Sequence, residues 1–217
     1  MRRVTCSLLG FVVALSWAAP SDAQSPGAQS PVAEPTAVVD KGEKLDLPAV
    51  PEDKADWKPT GELAQLVEKL QKANKASREV FAPLSAAQMN WRPSDGTHTP
   101  RWNAEHTAAT ELGFFSQAFA TLDPEHHKAL RINPKQMPAD YVAAHPGWTG
   151  AEEAEQMKQI DDYVSGHAYL LEGHDLDKPL PGGRMPLGKM FELVAGHYGQ
   201  HTGNVKKKFE LADWPAE

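Results

Sequence analysis

The sequence predicts an all-α fold, a four-helix bundle with a long connection between its second and third helices. Three observations carry this. Apolar residues recur every three or four positions in four separate stretches, the period of a helix that buries one face. No segment carries a convincing strand pattern. The links between the stretches are punctuated by Pro and Gly, which stop helices and turn the chain. Four such helices can cover their apolar stripes only by packing on one another.

The first helix is expected over residues 60–81, with Thr60 as N-cap and Leu63, Leu66, Val67, Leu70, Ala73, Val80 and Phe81 as its stripe. Its exit runs through Leu84-Ser-Ala-Ala-Gln-Met-Asn-Trp91-Arg-Pro93 to a turn at Asp95-Gly96. Trp91 reads as a plug for the end of a bundle. The second helix begins near Thr99-Pro100, since Pro suits a first turn, and reaches about Leu122. Trp102, His106, Ala109, Gly113, Ser116 and Gln117 follow one of its faces, and Leu112, Phe115 and Phe119 widen it. The small Ala108, Ala109 and Gly113 would permit close approach of another helix.

Residues 123–150 form a long connection interrupted at Pro134, Pro138 and Pro146. Connections of this length without regular structure are uncommon in compact domains and often cover a site. The third helix starts at Thr149, ahead of Glu152-Glu153, and is expected to end near Gly173, with Met157, Ile160, Val164, Ala168 and Leu171 buried. The fourth spans about 187–211, with Met190, Val194, His197, His201, Val205 and Phe209 on one face. Lys206-Lys207-Lys208 falls in its last turns, where cations face the helix dipole favourably.

The chain has 217 residues, enough for one domain with a sizeable core plus extra sequence. A formal charge of −7 and the lack of a concentrated basic patch exclude nucleic acid and anionic membrane as expected partners. Residues 1–23 read as an export signal: Met1-Arg2-Arg3, an apolar run from Val4 to Ala19, and the small-x-small pattern Ser21-Asp22-Ala23. Cleavage there predicts a secreted or periplasmic protein with no stable membrane insertion; an uncleaved N-terminal anchor is the alternative. The cut also removes Cys6, the only cysteine, so any metal site must use nitrogen and oxygen donors. Residues 24–59, rich in Pro, Ala, Ser and charges, read as a flexible tether, and 60–217 as the folded domain.

His197-Tyr-Gly-Gln-His201 is the outstanding motif. Side chains four apart on a helix point the same way, so both imidazoles can reach one ion at roughly 2.0–2.1 Å. An ordinary core face would carry Leu or Val there. Burying two polar rings without partners costs roughly 1–3 kcal/mol each. His106, inward on the second helix, is the candidate third ligand. The bland reading is three buried histidines satisfied by carbonyls or carboxylates. His126, His127, His145 and His174 read as exposed loop residues, with His145 able to reach the site from a lid. His167 reads as a boundary histidine, open to recruitment as a further ligand.

With the Leu-Ser-x3-Met-x-Trp91-x-Pro93 exit, His106 placed after Trp102, and the closing His197-x3-His201, the chain from about 60 to 211 resembles the DinB-like family of four-helix metalloproteins. The resemblance implies one divalent metal, zinc or nickel, held by His106, His197 and His201. It also implies activities that include thiol-dependent S-transfer, a thiol-linked isomerisation and metal-dependent hydrolysis.

The residues add their own constraint. Three neutral imidazoles leave coordination positions open, the pattern of a catalytic site, and all-nitrogen donors suit Zn, Ni or Cu better than Ca or Mg. Tyr198 stands where a His-Glu-x-x-His protease carries its glutamate, which disfavours that mechanism. Neither Glu105 nor Glu111 points naturally at the metal, so no catalytic side chain is assigned. Export argues against a cytoplasmic thiol cofactor. The expectation is a metal-dependent hydrolase using metal-bound water on a small-molecule substrate. The competing classes are a non-catalytic metal-binding or sensing module, a thiol-dependent S-transferase, and an interaction bundle without metal. A homodimer is compatible with the bundle faces.

Overall fold

Helix α1 (Gly61–Phe81) buries Leu63, Val67, Leu70, Asn74, Ser77 and Phe81, a strict alternation of four- and three-residue steps that fixes its inner face. Thr60 occupies the N-cap position with extended backbone, as expected, but its side chain makes no capping hydrogen bond. The exit from α1 is itself helical: α2 (Ala86–Asn90) is a single turn closed by a capping box between Ser85 and Gln88. Helix α3 (Pro100–Leu122) starts as expected, with the Thr99 hydroxyl accepting from the Trp102 amide and Pro100 in the first turn. Thr149 and Glu152 form a second capping box at α4 (Gly150–Gly166). That helix ends before the expected Gly173: the chain tightens into a 3₁₀ turn at Ala168–Leu171 and then reverses at Gly173, whose φ of 76° is left-handed. Helix α5 spans Leu187–Lys208.

This computed structural model describes residues 37–38, 45–94, 96–133 and 141–216, all within one compact unit, Glu34–Glu217. The export signal read at 1–23 lies outside the described residues, as does much of the segment read as a tether. From residue 45, however, the chain is packed: Leu45 is buried, Trp57 joins the core margin, and the Trp57 indole donates to Glu172 at 2.8 Å. Packing therefore begins ahead of the boundary at 59 that composition suggests. No helix among the described residues is long and apolar enough to cross a membrane.

The four long helices make an all-α bundle in which α1 and α3 each pack against both α4 and α5. Side-chain pairs give their directions. Tyr198 meets Glu111 while His201 meets Asn103, so α3 and α5 are antiparallel. Arg101 meets Glu153 and Phe119 meets Tyr163, so α3 and α4 are parallel. Asn74 meets Tyr198 and Ser77 meets Thr202, so α1 and α5 are parallel. The order is up, down, down, up. A parallel α3–α4 pair demands a return along the whole of α3, about 35 Å at 1.5 Å per residue, and this topology explains the length of the 123–149 connection. Within that connection β2 (Leu130–Arg131) pairs in parallel with β1 (Ala37–Val38).

The core runs the length of the bundle, with Leu70, Phe81, Leu112, Phe115, Phe119, Ile160, Phe191 and Val194 essentially inaccessible. Each contributes on the order of 1.5–3 kcal/mol of burial. One glycine is required by contact. A Cβ on Gly150 would lie 1.8 Å from the Phe81 carbonyl oxygen, because the start of α4 docks directly on the end of α1 and donates its amide to Leu84. Gly113 faces open space, so the close helix approach expected there belongs instead to the buried Ala104 and Ala108.

Candidate metal centre

The first turns of α3 and the last turns of α5 meet at one end of the bundle, and this brings the three predicted histidines together. His197 and His201 lie one turn apart on α5, their ring centroids 4.4 Å apart. His106 faces them from α3 at 4.8 Å and 5.1 Å. One nitrogen from each ring lies within 4.8 Å of the other two. Small side-chain rotations from that separation reach the ~2.0–2.1 Å of an imidazole–metal bond. His201 is buried, and His106 and His197 are half-buried.

The ring of His201 is held in a defined state. Asn103 donates its Nδ2 to the Thr99 carbonyl at 2.8 Å, which turns its Oδ1 toward His201 Nδ1, also at 2.8 Å. An amide oxygen can only accept, so Nδ1 carries the proton and Nε2 keeps its lone pair. That is the arrangement of a metal-binding histidine whose second nitrogen is anchored in the protein. Trp102 stacks on His106 at 4.6 Å and 10°, fixing its plane.

Protonation favours ligation as well. Burial, followed by the proximity of His106, pushes His197 down to about 4. Burial, followed by His197, His106 and His98, pushes His201 down to about 3. Both rings are neutral at pH 7. Among the described residues the buried Nδ1 of His197 has no hydrogen-bond partner, a deficit of about 1–3 kcal/mol unless something binds the ring. Geometry, tautomer and charge state together form a group that could hold a metal ion.

The nearby acids are committed elsewhere. Glu105 accepts from the Asn133 side chain at 2.8 Å and the Ala144 amide at 3.0 Å, which ties α3 to the crossover. Glu111 accepts from the Tyr198 hydroxyl at 2.6 Å and from Asn74 at 3.0 Å. Tyr198, next to His197 in the chain, therefore points into the core and away from the site.

The other histidines correct the sequence reading. His145 and His167 were both candidates to complete a coordination shell, and neither joins the group. His145 is buried and stacked on Trp148 at 3.6 Å and 5°. His167 is buried near the opposite end of α4, its Nδ1 donating to the Tyr163 carbonyl at 2.8 Å. His127, expected in an exposed loop, is buried against it with ring centroids 5.0 Å apart. His126 is exposed, as expected, and bonds Asp123 at 2.8 Å. The crossover covers the outer side of α3, and that is what buries loop residues in a way local sequence does not show.

Two residues at the site escaped sequence reasoning. Asn103 lies three positions before His106, and a polar residue on the buried face beside a candidate ligand was the available signal. His98 precedes the helix, with its ring centroid 4.0 Å from that of Trp102. Both line a cavity of about 410 Å³ beside the triad.

No curated protein and no solved structure matches this chain. The family model of the DinB superfamily matches residues 69–205, which contain α3, α4 and all three histidines. The chain belongs to the DinB superfamily.

Proposed function

We propose that this protein binds one divalent transition metal, zinc or nickel, through His106, His197 and His201, and uses it to hydrolyse a small-molecule substrate. The observation that carries the metal assignment is the Thr99–Asn103–His201 relay. It aims a lone pair at the point where two other imidazoles converge. A bound ion would supply Lewis acidity and lower the pKa of a coordinated water toward neutrality. The chain's own residues do the positioning. Asn103 sets the His201 tautomer, Trp102 sets the His106 plane, and the apolar body of α5 keeps the ring nitrogens desolvated. Three protein donors leave positions open for water and substrate, which favours hydrolysis over a closed structural role.

The test is elemental analysis of the purified chain beside His106→Ala, His197→Ala and His201→Ala, followed by a panel of ester, amide and phosphoester substrates. About one equivalent of metal in the wild type, lost in the variants together with any turnover, supports the proposal. Metal without turnover across the panel returns the protein to the binding-module class. No metal after incubation with each ion removes the centre altogether. Export is also proposed, on the pattern of residues 1–23. Intact mass of the expressed chain should show a start at Gln24, and retention of Met1 would defeat it.

A further inference from the structure

The cavity beside the triad has a chemical character of its own. Six of its lining residues are His98, Trp102, Asn103, Asn204, Lys207 and Lys208, contributed by the start of α3 and the end of α5. No Asp or Glu lines it among the described residues. Lys208, also in the lining, is 4% exposed and donates to Thr97 at 2.7 Å. Lys207 is exposed and makes no ion pair among the described residues. Burial first, and Arg92 and Lys208 after it, lower the affinity of His98 for its own proton. In a chain of net charge −7 this is a cationic pocket against an acidic background.

Beyond charge, the lining offers amide groups from Asn103 and Asn204 and the indole of Trp102. Its volume, about 410 Å³, is that of a small-molecule pocket. Two of its walls also belong to the metal centre. Trp102 stacks on His106, and Asn103 holds His201.

We infer that this cavity is an oxyanion subsite that takes the carboxylate or phosphoryl end of a small molecule, with Lys207 as its principal cation and Trp102 as its apolar wall. That the anion is the substrate's own rests on the hydrolase reading; that an anion binds there does not. The subsite narrows the substrate class to acids, and it gives Lys207 a role apart from the two neighbouring lysines at the helix end.

The experiment is an NMR titration of the ¹⁵N-labelled full chain with succinate and, separately, inorganic phosphate at constant ionic strength, without metal and with one equivalent of zinc. Saturable shifts at the Trp102 indole and the Asn204 side-chain amide are expected with at least one probe, and which probe acts distinguishes a carboxylate from a phosphoryl ligand. Lys207→Glu should weaken binding at least fivefold, and the charge-matched Lys206→Glu, outside the lining, less than twofold. No saturable shift with either anion overturns the subsite, as does equal weakening by the two variants or no weakening by Lys207→Glu. The metal reading is scored separately. Anion binding in a chain that takes up no zinc leaves the subsite standing and the centre refuted, and zinc uptake without anion binding does the reverse.

Discussion

Asn103 stands between Thr99 and His201, donating to one and accepting the Nδ1 proton of the other. Replacing it with Leu frees the imidazole to rotate and to change tautomer, and partners of this kind are typically worth 10–100-fold in metal affinity. Asn103→Leu should therefore weaken zinc binding by about that factor in a chelator competition. Asn103→Asp, which still accepts from Nδ1, should hold affinity near or above wild type. Equal affinity in Leu and wild type would show that the relay is incidental. Two turns further along α3, Glu111 is buried beside Tyr198 and Asn74. Desolvation, then repulsion from Asp161, pushes its carboxyl up to about 8 from an ordinary 4.5. A raised folded-state pKa means the native protein holds a proton that the unfolded chain has released. Stability should then fall as pH rises from about 4.5 to 8, by up to about 1.4 kcal/mol per unit for one fully shifted group. Glu111→Gln removes that titration, so its urea midpoint should be flatter across the window than the wild type's. Parallel profiles would mean that Glu111 is ionised in the fold.

At the scale of elements, Arg101 joins four pieces of the chain. Fully buried in the first turn of α3, it donates to Asn90 of α2 at 2.7 Å, to Glu153 of α4 at 2.6 Å and to the Trp148 carbonyl of the crossover. Arg101→Met would leave the Glu153 carboxylate buried without its cation, a loss of about 3–5 kcal/mol in urea unfolding. Adding Glu153→Gln should restore part of it, because the uncompensated charge is then gone. An Arg101→Met loss below 1 kcal/mol, or no recovery in the double variant, would count against the pair as a joint between elements. Arg101 also shows where sequence reading stops. The long helices were legible because each carries a stripe of period 3.6, and α1, α3 and α5 lie close to the expected bounds. The triad was legible because two ligands share one helix and the third sits on the inner face of another. The burial of Arg101, His127, His145 and His167 was not, since it comes from the crossover lying over α3 and from the α3–α4 contact, both long-range. The one-turn α2 had a local signal, Ser85 three before Gln88, that the proline soon after it obscured. Phe209 was expected in the stripe of the last helix, but α5 ends one residue earlier and leaves that ring 39% exposed.

For the molecule as a whole, the triad clips together the antiparallel α3 and α5 at the end of the bundle where α1 ends and α4 begins. Any ion bound there in the folded state alone must stabilise the entire bundle by mass action, by about 2.7 kcal/mol when free metal is at 100 times Kd. For a domain of this size each kcal/mol moves Tm by roughly 2–4 °C, so saturating zinc or nickel should raise it by about 5–10 °C. The sign of its pH dependence follows from the ligands. Protons compete for an imidazole only near or below its folded-state pKa, and His197 and His201 sit at about 4 and about 3. The metal-induced shift should therefore persist to about pH 5.5, where an unperturbed histidine pair, titrating near 6.5, would already be losing the ion, and should fade below about pH 4. Differential scanning calorimetry of wild type and His106→Ala, with and without metal at pH 7.5, 5.5 and 4, reads both effects. A shift of the same size in His106→Ala would place the stabilising ion elsewhere. A wild-type shift already lost at pH 5.5 would mean that the imidazoles titrate as ordinary surface histidines, and that the desolvated, proton-poor pocket described at the end of α5 does not govern the metal.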